Sequence, residues 1–269
     1  MISALLLALS ATSVPVSAHV ADPSLIRDAS HAIEMGRLQQ ARLMIARAVA
    51  AGVQGPSLER LIADLAFASG NLDEALGRYK HLVASGQKGS AVCERGAIAA
   101  LKLGRTADAK PLADCATAAA GASWRAWNAQ GVLADFTRDW AVADQAFARA
   151  HELAPTEATV LNNQGWSLVL RGDWQGAVPL LEQAAKLDPK SQRIGDNLEL
   201  ARAAIAAELP KREAGEPQNA WAERLNDAGV AAELNGEKDK AIAAFTQALE
   251  ASGVWYVRAA NNLDAVSGR

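Results

Sequence analysis

The chain has 269 residues, of which 61 are alanine and 13 are aromatic. Alanine is the strongest helix former, whereas strands favour β-branched and aromatic residues, so this composition predicts an all-α protein and argues against an all-β one. The formal net charge of -3 gives the chain no positive field that would attract nucleic acid or anionic lipid. We therefore expect neither as a partner.

The first eighteen residues differ from the rest of the chain. A short apolar run from Ala4 to Leu9 is followed by Pro15 and by the small residues Val16-Ser17-Ala18, which suit a cleavage site. The run is too short to cross a bilayer as a helix. We predict that residues 1–18 are a secretory signal peptide, and that the mature protein is periplasmic or otherwise exported and keeps no membrane span. An ordinary buried helix is the alternative, since residues 1–3 contain no lysine or arginine.

From residue 22 onward the sequence repeats itself every 34 residues. Four glycines and one arginine follow one another at that interval, and an alanine lies five residues after each: Gly36 and Ala41, Gly70 and Ala75, Gly104 and Ala109, Arg138 and Ala143, Gly172 and Ala177. Glycine followed by a polar residue is typical of a helix end, and an aspartate or threonine next is typical of a helix start. Apolar residues at spacings of three and four then give each helix one buried face. Each repeat is therefore predicted to be two helices around a tight turn.

The fourth repeat, which begins at residue 124, resembles the tetratricopeptide repeat family. It has the six consensus residues of that family, namely Trp127, Gly131, Ala143, Phe147, Ala150 and Pro155. The fifth repeat departs only by leucine at the two aromatic places, and the first three keep the loop and the alanines. The resemblance covers residues 22–191 as five repeats, and it implies an all-α, right-handed solenoid of antiparallel helix pairs.

The repeat pattern is interrupted after residue 208. Residues 192–208 supply a sixth first helix, but the expected second helix is replaced by residues 209–217, which contain two prolines and a glycine. A further repeat follows, and residues 255–266 predict a terminal helix that would cover the end of the solenoid. The predicted organisation is a signal peptide at 1–18, five repeats and a half-repeat at 19–208, a linker at 209–218, and a further repeat with a capping helix at 219–269.

The sequence carries no motif that points to catalysis, a metal or a cofactor. The four histidines are scattered, and the chain has no phosphate-binding loop, no nucleophile elbow and no C-x-x-C pair. Carboxylates are plentiful, but the polar faces of helices account for them. We therefore expect a non-enzymatic protein without metal or cofactor, with a shallow enzymatic site as the weaker alternative.

Polar side chains recur on the first helices at the repeat interval. Asn128, Asn162 and Asp196 are spaced by 34 residues, and Asn163 and Asn197 keep the same spacing beside them. In a stacked array, residues that are one repeat apart lie on the same face, so these side chains should form a ladder. The alternative interpretation is ordinary surface polarity of the helices.

In the resembled family the first helices line a concave groove that meets the ligand. The resemblance therefore implies a peptide-binding site made of Asn128, Asn162, Asn163, Trp166, Asp196 and Asn197. Trp166 occupies a groove position and is a candidate anchor, and its alternative role is packing against the next repeat. Amides carry both a donor and an acceptor, so they can bond a peptide backbone without reading its side chains.

The resemblance implies a scaffold or adaptor whose groove binds an extended segment of another protein. By the same resemblance, its setting would be the bacterial envelope, in pilus or secretion assembly. The alternative is a structural protein that oligomerises through its convex face or its terminal helices. Substitutions in the groove and at the ends would distinguish the two.

Cys93 and Cys115 are the only cysteines, one on each helix of the third repeat. At about 100° per residue, Cys115 points roughly 120° away from Ala109, which should face the first helix. A disulfide requires Cα atoms within about 7 Å. This helical phase does not exclude the disulfide, but it favours two free thiols.

Overall fold

The structure is a computed structural model that describes residues 23–254 and 256–268. Those residues form fourteen α-helices and no strand, which confirms the predicted all-α fold. The predicted signal peptide at 1–18 and the predicted first residue of the terminal helix, Trp255, lie outside the described residues. In the described part of the chain, no helix combines the length and apolar character needed to cross a membrane.

Up to residue 187 the helices alternate as first and second members of successive pairs, whereas the helix at 192–206 is followed by a non-helical segment in place of a second member. The first compact unit, which ends at Arg78, contains α1 (Pro23–Glu34), α2 (Leu38–Ala50), α3 (Pro56–Ala68) and the first half of α4 (Leu72–Ala84). The second compact unit, from Tyr79 onward, contains the rest of α4 and then α5 (Ser90–Lys102), α6 (Thr106–Ala118), α7 (Trp124–Thr137), α8 (Trp140–Leu153), α9 (Ala158–Leu170), α10 (Trp174–Leu187), α11 (Gln192–Ala206), α12 (Gln218–Leu234), α13 (Lys238–Ser252) and α14 (Val257–Ser267).

Within the second compact unit, the helix pairs stack side by side. The paired helices α5 and α6, α7 and α8, and α9 and α10 pack against each other. Successive first helices also touch, since α5 packs on α7, α7 on α9, and α9 on α11. This stack is the predicted solenoid of helix pairs, and it brings the first helices of neighbouring repeats into one continuous layer.

A glycine on α7 and another on α9 let the second helix of each pair come close. A Cβ atom on Gly131 would lie 2.6 Å from Cε1 of Phe147, and one on Gly165 would lie 2.8 Å from Cγ of Leu181. Phe147 and Leu181 are fully buried. These glycines therefore have a steric reason that outweighs the cost of glycine in a helix, which is about 1 kcal/mol relative to alanine.

The turn inside each pair needs a residue in the left-handed region. Gly104 and Gly172 supply it with φ of 68° and 77°. Arg138 takes the same place between α7 and α8 with φ of 58°. Its Nη2 atom donates a hydrogen bond of 3.1 Å to the main-chain oxygen of Ala251 at the end of α13. The arginine that interrupts the glycine series thus ties the fourth repeat to the C-terminal pair.

The segment between α11 and α12 carries the chain back onto the stack. Residues 207–217 contain no helix, at the place where the linker was expected. Trp221 near the start of α12 is fully buried, and its ring centroid lies 6.3 Å from that of Trp174 on α10. Its Nε1 atom donates a 2.7 Å hydrogen bond to the main-chain oxygen of Pro210. The C-terminal pair therefore packs on the main array, while the predicted domain boundaries stay predictions.

The two cysteines are joined, so the preference for two free thiols is wrong. Cys93 on α5 and Cys115 on α6 form a disulfide with Cα atoms 5.8 Å apart. The helical phase placed Cys115 on the flank of α6, and it took no account of how closely the helices approach. A Cβ on Gly96 of α5 would lie 3.2 Å from Cδ1 of Leu112 on α6. At this close spacing, a side chain on the flank still reaches Cys93.

Replacing Gly131 by alanine should destabilise the fold. The added methyl group meets the buried ring of Phe147, and overpacking of this kind lowers the free energy of unfolding by about 1 to 3 kcal/mol. The higher helix propensity of alanine offsets about 1 kcal/mol of this loss. Urea unfolding should show the net loss. Gly195→Ala is the control, because Gly195 lies in α11 with no heavy atom within 4 Å of its added Cβ, and that variant should be equally stable or more stable. Equal stability of Gly131→Ala and the wild type would contradict the packing argument.

Reduction of the disulfide should lower the stability of the second compact unit. The bridge closes a loop between residues 22 positions apart. The lower entropy of the cross-linked unfolded chain stabilises the folded state by about 3 kcal/mol. Protein made in an oxidising compartment, denatured without reductant and titrated for thiols, should show none. Cys93→Ser/Cys115→Ser should unfold at lower urea concentration than the wild type and show no effect of added reductant. Two reactive thiols per chain in the wild type would contradict the bridge.

Candidate protein-binding groove

Four asparagine side chains form one continuous hydrogen-bonded chain across α7, α9 and α11. Nδ2 of Asn197 donates to Oδ1 of Asn162 at 2.9 Å, and Nδ2 of Asn162 donates to Oδ1 of Asn163 at 3.2 Å. Nδ2 of Asn163 then donates to Oδ1 of Asn128 at 3.0 Å. All three bonds run in one direction, so Nδ2 of Asn128 and Oδ1 of Asn197 stand at the two ends.

The members of this chain differ in exposure. Asn162 is 2% exposed, and both of its side-chain bonds go to other members of the chain. Asn128, Asn163 and Asn197 are half-buried. Asn162 is thus placed to orient its neighbours, while the other three amides reach the surface. We call the surface around Asn128, Asn163 and Asn197 the ladder face.

The two remaining predicted residues lie beside the ladder face. Trp166 is half-buried, about one helical turn after Asn162 and Asn163 on α9, and packs against the largest apolar cluster of the second compact unit. Asp196 is exposed on α11, next to Asn197, and is not a member of the asparagine chain. The structure therefore brings the four asparagines together and leaves Trp166 and Asp196 as neighbours of that group.

A second asparagine contact in the C-terminal repeat was not found from the sequence. Nδ2 of Asn262 on α14 donates a 3.0 Å hydrogen bond to Oδ1 of Asn226 on α12. Asn226 is 1% exposed. The signal was present, because Asn226 stands three residues before Gly229 just as Asn162 stands three residues before Gly165. The same polar contact between first helices thus occurs in two places in the array.

A further polar contact joins α7 and α9, and no repeated signal in the sequence marks it. Ser167 is fully buried and donates from Oγ to Oδ1 of Asp135 at 2.6 Å. Arg171, which follows α9, makes two hydrogen bonds of 2.6 and 2.9 Å to the carboxylate of Asp144 on α8. We call the contact of α7 with α9, which includes Asn128–Asn163 and Asp135–Ser167, the α7–α9 seam.

The carboxyl group of Asp135 has an unusual affinity for its proton. Burial raises its pKa from the ordinary 3.8 to about 7. The hydrogen bond from Ser167 and the charge of Arg171 act in the opposite direction, and the charge of Asp144 adds to the rise. Burial outweighs the hydrogen bond because an isolated ion loses more solvation than one neutral donor returns.

The chemistry that the ladder face offers is hydrogen bonding by amides beside an aromatic side chain. Within residues 23–254 and 256–268, no three His, Cys, Asp or Glu side chains are grouped so that they could hold a metal ion. Amide donors and acceptors next to a half-buried tryptophan suit recognition of a polar main chain with an apolar side chain.

Comparison with protein families gives a match over more than half of the chain. One family model, described as tetratricopeptide repeat, matches residues 27–89 and 133–192. A second model with the same description matches residues 222–253. A search of curated proteins found no significant match.

Solved structures with a similar fold share little sequence with this chain. A tetratricopeptide repeat protein of Parabacteroides merdae ATCC 43184 is 17% identical, with 91% of this chain and 98% of that chain covered and a TM-score of 0.54. A thermophilic tetratricopeptide repeat protein of Thermus thermophilus is 16% identical, with 66% and 97% covered and a TM-score of 0.53. The Cut9–Hcn1 hetero-tetramer of the APC/C matches at 14% identity and a TM-score of 0.62, with 92% of this chain and 49% of that chain covered. These likenesses show the fold alone.

Proteins built from such repeats generally act as scaffolds for protein–protein interaction and generally have no enzymatic activity. The family matches fall in the N-terminal, the central and the C-terminal part of this chain. The central match covers the pair α9 and α10, the C-terminal match covers most of α12 and all of α13, and the helices of each of these pairs pack against each other. The chain belongs to the tetratricopeptide repeat superfamily.

Proposed function

We propose that this protein is a scaffold or adaptor whose ladder face binds an extended segment of another protein. The observation that carries the proposal is the asparagine chain across α7, α9 and α11. It holds polar groups of three repeats at one surface, in one orientation, before any partner arrives. Preorganised groups of this kind lose little freedom on binding, which favours affinity.

The two ends of the asparagine chain match the two polar groups of a peptide backbone. Nδ2 of Asn128 can donate to a carbonyl oxygen, and Oδ1 of Asn197 can accept from an amide N–H. Such contacts bind the main chain and leave the side chains of the segment unread. Trp166 beside them supplies an apolar contact, and aromatic residues carry much of the binding energy at interfaces.

Asn162 has a supporting role in this proposal. It is buried, and its removal would leave Nδ2 of Asn197 and Oδ1 of Asn163 without their partner. Because these two atoms reach the surface, the loss of each hydrogen bond costs about 1 kcal/mol. Substitution of Asn162 therefore changes the shape of the ladder face as well as its chemistry, so Asn128 is the better residue for a test.

We also propose that the protein is exported and works in the bacterial envelope, in pilus or secretion assembly. The disulfide between Cys93 and Cys115 supports export, because disulfides persist in oxidising compartments. The apolar run and small residues before His19 support it independently. The partner is then expected among envelope proteins.

Substitutions on the ladder face should weaken partner binding. Tagged protein, captured with envelope extract of its host, identifies candidate partners by mass spectrometry, and overlapping peptides of each candidate are then titrated by fluorescence anisotropy. Asn128→Ala should raise the Kd about fivefold, for one lost neutral hydrogen bond of about 1 kcal/mol. Trp166→Leu should raise it further while keeping an apolar side chain in the array.

Matched control variants separate the ladder face from the rest of the array. Asn235→Ala changes an exposed asparagine at the end of α12, and Trp140→Ala changes a half-buried tryptophan at the start of α8. Neither should alter the Kd. Unchanged affinity in both ladder-face variants would refute the groove. Self-association that is lost when the terminal helices are substituted would favour the structural alternative.

The mature chain should begin at His19. Intact-mass measurement of protein purified from its native host should show the loss of residues 1–18, because signal peptidase cuts after small residues such as Ala18. Ala18→Arg should block the cut and serves as the control. An intact Met1 on the mature protein would overturn the proposal of export.

A further inference from the structure

The carboxyl group of Asp135 lies at a joint between two repeats, on a half-buried residue. It belongs to α7, and the hydroxyl group that binds it, Oγ of Ser167, belongs to α9. Ser167 is fully buried and Asp135 is half-buried, so the contact is partly shielded from water. Any change in the charge of Asp135 therefore acts on the α7–α9 seam itself.

The cation nearest to this carboxyl already has a partner. Arg171 binds the carboxylate of Asp144 through two hydrogen bonds, and its Nε atom donates to the main-chain oxygen of Ser167 at 3.1 Å. Among the described residues, the charges that act on Asp135 are those of Arg171, which favours its ionised form, and of Asp144, which disfavours it. An ionised Asp135 would thus be a half-buried anion that accepts a hydrogen bond from one neutral donor.

We propose that Asp135 makes the α7–α9 seam a pH-dependent joint, which holds most firmly when this carboxyl group carries a proton. The neutral acid can share hydrogen bonds with Ser167 at little cost in solvation. The ionised carboxylate is stabilised when α7 and α9 move apart. Their separation admits more water to Asp135, or it lets Arg171 leave Asp144 and pair with Asp135. This inference concerns the joint itself and goes beyond the proposed binding of a peptide.

The sign of the pH dependence follows from proton binding in the two states. The pKa of Asp135 is about 7 in the folded protein and near 3.8 when the group is exposed. Between these values the folded state holds a proton that the unfolded state has released. Stability therefore falls as the pH rises through this interval, and it levels off above about 7. One proton changes the folding equilibrium constant by up to tenfold per pH unit.

The direct test is a titration of the full chain with ¹³C-labelled aspartate, followed by NMR of the side-chain carboxyl carbons. One resonance should titrate near pH 7, and it should be missing in Asp135→Asn. The resonance should titrate at lower pH in Asp144→Asn, because that change removes a negative charge and frees Arg171. It should titrate at higher pH in Ser167→Ala, because that change removes the hydrogen bond that favours the anion.

Hydrogen exchange tests whether the titration moves the joint. After correction for the intrinsic pH dependence of exchange, protection of the α9 amides should fall between pH 6 and pH 8 in the wild type and stay constant in Asp135→Asn. Protection of the α12 amides, away from the seam, is the internal control and should not follow Asp135.

Three results would overturn the proposal. They are a titration of Asp135 near pH 4, shifts of the Asp144→Asn and Ser167→Ala resonances in the same direction, and a loss of α9 protection that persists in Asp135→Asn. If Asp135→Asn does not fold, the opposite shifts of the other two variants still decide the matter. No ligand enters these measurements, so their outcome is separate from that of the peptide-binding test.

Discussion

The absence of a side chain at one glycine in α7 and at one in α9 sets the distance between the two helices of each of these pairs. At Gly131 the ring of Phe147 fills the space where a Cβ would lie, and at Gly165 the side chain of Leu181 does the same. Because both pairs are closely packed in this way, their first helices can lie side by side, and α7 packs on α9. Residues about 34 positions apart in the sequence therefore lie near each other on neighbouring first helices.

Polar groups then specify the register of this layer more narrowly than apolar packing can. Apolar side chains tolerate small shifts, since many arrangements of similar volume bury similar area. Asn162 allows no such shift, because its donor and its acceptor are both satisfied by particular neighbours. Asp135 is the opposite case, a half-buried group that one neighbour satisfies only in part.

The sequence alone predicted what depends on equal positions in successive repeats. The helix pairs and their stacking follow from the 34-residue period, and the structure contains both. The predicted ladder of Asn128, Asn162, Asn163, Asp196 and Asn197 is present only in part, because its bonds between helices join asparagines 35 residues apart and leave out Asp196. The exact pairing within the ladder escaped prediction, and so did contacts between unlike side chains. Asp135 and Ser167 are 32 residues apart and carry different functional groups, so no repetition marks them.

The disulfide escaped prediction for another reason. A helical wheel gives the direction of Cys115 but contains no distance, and the separation of two helices depends on every small residue between them. Directions can be derived from periodicity, whereas distances arise only from packing.

The hydrogen bond from Arg138 to Ala251 changes how this array can assemble. In most solenoids each repeat touches only its neighbours, so folding spreads along the chain through local steps. Here a contact spans 113 residues, and closing so long a loop costs entropy that local contacts do not. The bond forms only when both the turn after α7 and the end of α13 are folded, so it couples the fourth repeat to the C-terminal pair over a sequence distance that contacts between neighbouring repeats do not span.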